Sequence, residues 1–203
     1  MRQVVYLKDT VTAEEYLKHQ RSGSREFAPK YEFFNQKLRF LIGGSLIHSE
    51  ICSNLTFSLM SQIRQDNADY DVFAFDMRTV TYLNGKNYVY PDLIVIDGKA
   101  QCEDENDDNL VNPSLIIEIL SDLTESFDRG DKFKSYRKTP SMKKYVLVSQ
   151  KERCIEQFFK DEKGRWQIGD IITEGTFKLE TIPFELSVEG IYRNVVFADT
   201  PSV

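Results

Sequence analysis

The stretch SLIIEILSD, residues 114–122, restricts the fold of this chain more than any other. Ile116, Ile117, Ile119 and Leu120 show no polar alternation, and such a run reads as a strand buried on both faces. Glu118 stands in the middle of it. An uncompensated carboxylate in that position costs on the order of several kcal/mol, so something must offset its charge. Asp92, in VYPDLIVID, has a similar setting. It follows Pro91 and leads directly into Leu93, Ile94, Val95 and Ile96.

Each acid has a plain reading when taken alone. Asp92 can cap a turn after Pro91, and Glu118 can pair with a buried Arg or Lys. Taken together, on two apolar strands placed side by side, the carboxylates repel unless a proton or a cation separates them. A divalent metal held by Asp92 and Glu118 compensates both charges.

The rest of the chain supplies the layers such strands need. In TVTAEEYLKHQ, Thr12 precedes Glu15 by three residues, a capping-box spacing that predicts a short helix. RFLIGGS reads as a short strand closed by glycines. Ile47, Ile51, Leu55, Leu59 and Ile63 recur every fourth residue and predict an amphipathic helix from Ser45 to Arg64. Strands are expected at DVFAFD, at RTVTYL before an NGK turn, and along YVYPDLIVID. TESFDRGDKFKSYRK reads as a helix ended by Pro140. KKYVLVSQ and CIEQFFKD read as a hairpin pair, and a last helical turn is expected near VEGIY. Apolar strands mixed with helices define an α/β layer fold with a mixed sheet. With 203 residues and no linker, a single domain over residues 1–203 is expected, with its core over about 30–160.

Several function classes are disfavoured. No apolar run approaches the ~20 residues of a membrane span, and the N-terminus lacks a signal-peptide core. A cytoplasmic protein is expected. Cys52, Cys102 and Cys154 are far apart, with no metal spacing, and suit a reducing compartment. His19 and His48 are the two histidines, too few for a His-rich zinc site. A net charge of −6 argues against a strong non-specific grip on nucleic acid. The acidic run Glu103, Asp104, Glu105, Asp107, Asp108 lacks the glycine and spacing of an EF-hand and is expected to be a solvated loop. In FDRGDKFKSY, Asp128, Lys132 and Tyr136 follow one another at four-residue spacing, which by itself favours a solvated helical ion pair.

The order YPDLIVID, then NPSLIIEILSDLTESFDRGDKFKSYRKTPSMKKYVLVSQ, closely resembles the Uma-type family of bacterial restriction endonucleases, part of the PD-(D/E)xK nuclease superfamily. The likeness is dense from Val72 to Gln150. AEEYLKHQ and YEFFNQKLRFLIGGSLIHSEICSNL resemble the family's N-terminal region. The resemblance implies a restriction-endonuclease-like core, a mixed β-sheet flanked by helices, with a divalent-metal site for Mg²⁺ or Mn²⁺. It makes Asp92 and Glu118 the metal acids and Lys132 the catalytic lysine. The superfamily places that lysine two residues after the second acid, where this chain has Leu120; Lys132 on the following helix is the migrated replacement. Glu32, His48, Asp128 and Tyr136 match as supporting positions. The turn after Glu32 departs from the family pattern, with Gln36 where a glycine is expected.

The function expected is that of a metal-dependent endonuclease, a hydrolase acting on phosphodiester bonds in DNA. Cutting both strands would favour a homodimer. The competing reading is a nuclease-like scaffold that binds a partner or nucleic acid without cutting.

Overall fold

The computed structural model of the chain describes residues 10–22, 30–41, 43–74, 76–179 and 182–197. Helix α1 (Ala13–Arg21) starts at the predicted capping box, with the Thr12 and Glu15 side chains each accepting the other's backbone N–H at 3.1 and 2.8 Å. Strands β1 (Tyr31–Phe34) and β2 (Lys37–Phe40) form a hairpin. Its two turn residues, Asn35 and Gln36, have φ of 49° and 62°. A two-residue turn of this handedness matches the twist of the strands it joins. Gln36 therefore holds a left-handed conformation that glycine would adopt more cheaply.

Helix α2 (Leu46–Gln65) follows, capped by the Ser45 side chain, and buries Ile51, Leu55 and Leu59. Strands β3 (Tyr70–Ala74), β4 (Arg78–Tyr82), β5 (Lys86–Val89), β6 (Leu93–Asp97), β7 (Asn109–Leu110) and β8 (Leu115–Leu120) come next. A helical crossover then runs through α3 (Glu125–Phe127), a π-helical turn (Asp128–Lys132) and α4 (Phe133–Tyr136). Beyond it lie β9 (Lys144–Ser149), β10 (Ile155–Lys160), β11 (Trp166–Ile168), β12 (Thr176–Lys178), β13 (Glu185–Ser187) and α5 (Val188–Ile191).

One sheet has five strands in the order β2-β1-β5-β4-β7, and another has six in the order β11-β10-β9-β8-β6-β3; β12 and β13 form a separate pair. The six-stranded sheet is mixed: β8 runs parallel to β9 and antiparallel to β6. Its two faces are covered differently. Leu93, Val95, Leu115, Ile117 and Ile119 pack with α2 and the C-terminal elements. Ile94, Ile96, Ile116, Leu120, Tyr145 and Leu147 pack with the crossover and the five-stranded sheet. Burial on both faces explains why β8 reads as a continuous apolar run.

Two expectations need correction. YVYPDLIVID is not one strand: β5 ends at Val89 in one sheet and β6 begins at Leu93 in the other, because Pro91 supplies no backbone donor to continue a ladder. The acidic run is not simply solvated. Arg21 contacts Asp108 at 2.7 Å and Asp104 at 3.0 Å, Arg78 also pairs with Asp108, and Glu103 binds Lys86 and the Tyr88 hydroxyl. These contacts pin α1 and the loop to the five-stranded sheet. Among the described residues, no helix is long and apolar enough to cross a membrane.

Candidate active site

Asp92 sits where the chain crosses between the sheets. Leu93 of β6 faces Ile117 of β8, and the next step of the same antiparallel register sets Asp92 opposite Glu118. Side chains directly opposite share one face. Asp92 is fixed at both oxygens. Oδ2 accepts the Ile119 N–H at 2.8 Å, and Oδ1 lies 3.0 Å from Nε2 of His48. His48 is held in turn at the start of α2, where its backbone N–H donates to the capping Ser45 hydroxyl at 3.1 Å.

Glu118 points to the crossover. Its Oε1 lies 2.8 Å from Nζ of Lys132 and accepts the Tyr136 hydroxyl at 3.0 Å. Nζ also lies 3.3 Å from Oε1 of Glu32 and 3.5 Å from Oδ1 of Asp128. Glu32 reaches in from β1 and accepts the Tyr90 N–H at 3.1 Å. The π-helical turn is wound more widely than an α-helix, a feature frequent at functional sites. It turns both Asp128 and Lys132 inward, and α4 continues the buried line with Tyr136. The solvated ion pair that the four-residue spacing favours is therefore replaced by a buried one: Asp128 and Lys132 are each 3% exposed.

Four carboxylates (Glu32, Asp92, Glu118, Asp128) share this cluster with two basic side chains, Lys132 and Arg39, the latter 3.6 Å from Glu32. With all acids ionised and His48 neutral, a formal excess of two negative charges remains. Burial pushes the pKa of Glu118 well up, Asp128 and Asp92 add to that, and Lys132 opposes it. Burial raises Asp128 as well. For Lys132, burial works to lower the pKa, but Glu118, Glu32, Asp128 and Asp92 outweigh it and hold the ammonium charged. Burial and the neighbouring Glu118 carboxylate push the Tyr136 phenol well up, so it remains a donor.

The structure thus brings all seven sequence-predicted residues into one network: Glu32, His48, Asp92, Glu118, Asp128, Lys132 and Tyr136. The alternative reading of Glu118, a pair with a buried lysine, is also realised, and the lysine is Lys132. Tyr136 supports the site through its hydrogen bond to Glu118. Arg39 was not anticipated. The signal for it lay in the Asn35–Gln36 turn, whose two-residue length sets Arg39 opposite Glu32.

The donor set suits a hard divalent cation. Two facing carboxylates offer oxygen ligands, and a cation there would relieve the repulsion that raises Glu118. Among the described residues, no three His, Cys, Asp or Glu side chains form a ready-made cage. Mg²⁺ does not require one, since it binds through one or two carboxylates and keeps several waters.

The mixed sheet, flanking helices and buried acid–acid–lysine cluster define a restriction-endonuclease-like protein. A putative nuclease of the DUF820 group from Anabaena variabilis shares the fold, with a TM-score of 0.68 at 16% identity, covering 92% of this chain and 99% of that one. The family model described as "Uma2: Putative restriction endonuclease" matches residues 13–190, and the chain belongs to that family. Two uncharacterized Synechocystis proteins are similar along most of their length. The protein slr1290 is 30% identical over 92% of this chain and 94% of its own, and sll1609 is 30% identical over 84% and 93%.

Proposed function

We propose that the protein is a nuclease that hydrolyses phosphodiester bonds in DNA, with Mg²⁺ or Mn²⁺ at Asp92 and Glu118. The carrying observation is the convergence of Asp92, Glu118 and Lys132 in one buried cluster in which carboxylates outnumber cations. A divalent ion there supplies Lewis acidity toward a phosphoryl oxygen and a more acidic bound water.

The chain's own residues supply the rest. His48 and the Ile119 N–H fix Asp92 from two sides. Tyr136 and Lys132 fix Glu118. The Lys132 ammonium, held charged by the surrounding acids, is the group that stabilises negative charge developing on the phosphate. Asp128 and Glu32 orient that ammonium from its other sides.

The test is cleavage of plasmid and single-stranded DNA by purified protein with Mn²⁺. Asp92→Asn, Glu118→Gln and Lys132→Met should each abolish cutting. Asp92→Asn keeps an oxygen for the Ile119 N–H, so loss of activity there is not loss of fold. Cleavage that persists in all three variants refutes the assignment. Metal binding by the parent without cleavage of any nucleic acid favours the scaffold reading.

A further inference from the structure

Arg39 is a member of the cluster with buried donors that make no hydrogen bond among the described residues. It is 6% exposed. Its guanidinium carbon lies 3.3 Å from the centroid of the Phe127 ring, and Phe127 in turn meets Phe34 edge-on at 4.8 Å. Nη1 is 3.6 Å from Glu32 Oε2, beyond hydrogen-bond length. Among the described residues, neither Nε nor Nη1 of Arg39 makes a hydrogen bond. Buried donors left unmade are costly and call for an explanation. The guanidinium fork matches the paired oxygens of a phosphate. Glu32 links this fork to the reacting centre, since its other oxygen lies 3.3 Å from Lys132.

Phe127, which covers the fork, belongs to the connection between β8 and the π-helical turn. The backbone hydrogen bonds there are local: Thr124 and Glu125 donate to Ser121, and Phe127 donates to Thr124. This segment can shift without breaking a sheet ladder. Its Ser121–Leu123 part borders a cleft of about 290 Å³ that also reaches His48, Gln150 and Lys151.

We propose that Arg39 is a substrate-binding residue that takes a phosphate of the nucleic acid next to the reacting one, and that Phe127 caps it until the strand displaces the ring. The proposal rests on the nuclease reading of the site. It identifies the ligand as a polyanionic strand that contacts the protein at two successive phosphates, one at Lys132 and one at Arg39.

The experiment is binding of a fluorescein-labelled single-stranded oligonucleotide in EDTA, followed by anisotropy across a salt series. Arg39→Gln should weaken binding and reduce the slope of log affinity against log salt by about 0.7, the loss of one phosphate contact on a single strand. A merely structural role would lower affinity without moving that slope. Phe127→Leu keeps an apolar cover but removes the cation–π competitor, and should bind about 2–5-fold tighter with the slope unchanged. An unaltered slope in a folded Arg39→Gln overturns the proposal. So does weaker or unchanged binding by Phe127→Leu, which decides the matter if Arg39→Gln does not fold. A parent that binds no oligonucleotide either in EDTA or with Ca²⁺ in place of Mg²⁺ overturns the nucleic-acid reading itself, an outcome distinct from the failure of Arg39 alone.

Discussion

Lys132→Met keeps the length and apolar stem of the side chain and deletes its charge. In the parent, Nζ faces Glu118 at 2.8 Å, Glu32 at 3.3 Å and Asp128 at 3.5 Å, with water excluded. Removing one partner of a buried ion pair costs about 3–5 kcal/mol. Domains of this size shift by roughly 2–4 °C per kcal/mol, so the metal-free variant should melt about 6–20 °C lower near neutral pH. The charge balance of the cluster becomes more negative by one, which leaves proton uptake or a divalent cation as the routes of relief. Mn²⁺ should therefore raise the melting temperature of the variant by more than it raises that of the parent. Circular dichroism melts of both proteins, in EDTA and in Mn²⁺, measure these shifts. A variant that melts with the parent in EDTA, or that responds less to Mn²⁺, refutes the claim that Lys132 balances these acids.

Burial raises the folded pKa of Glu118 and Asp128 above their unfolded values. Above about pH 4 the folded protein then holds more protons than the unfolded chain. Metal-free stability should fall as pH rises from there through the folded pKa values, and Glu118→Gln should flatten that fall; melts in EDTA across this range provide the check. Tyr136→Phe removes a 3.0 Å donor from Glu118 and should cost about 1.5–3 kcal/mol, read from urea unfolding. Gln36→Gly relieves a residue at φ 62° and should gain about 0.5–1 kcal/mol in the same assay, the strain relieved less the entropy added to the unfolded chain. An unchanged or lower urea midpoint would show that the turn is not strained.

The acids were legible because a carboxylate inside a β-branched run has no cheap explanation. Asp92 and Glu118 could be named from that alone, and the layered α/β architecture followed from the same runs. Their facing register was not legible, since it depends on how far β6 and β8 slide before pairing. Lys132 was harder. Its four-residue spacing from Asp128 is equally that of an exposed helical pair, and only the π-helical turn, with the five-stranded sheet above it, decides for burial. The break at Pro91 was missed because apolar content continues through it while the pairing partner changes. Asp108 was misread for a related reason: local composition marks a loop as polar, but Arg21 and Arg78, distant in sequence, decide that it is clamped.

The carboxylate of Asp92 closes the ladder between β6 and β8 by accepting the Ile119 N–H, and it does so whether or not any reaction takes place. On the nuclease reading proposed above, this gives the residue two independent reasons to persist under selection. A descendant of this chain that lost its chemistry would still fray that strand end on replacing Asp92 with an apolar side chain. Retention of this aspartate in a relative is thus a record of folding, whatever its part in the proposed chemistry. It makes a poor diagnostic when active members are to be sorted from decayed ones.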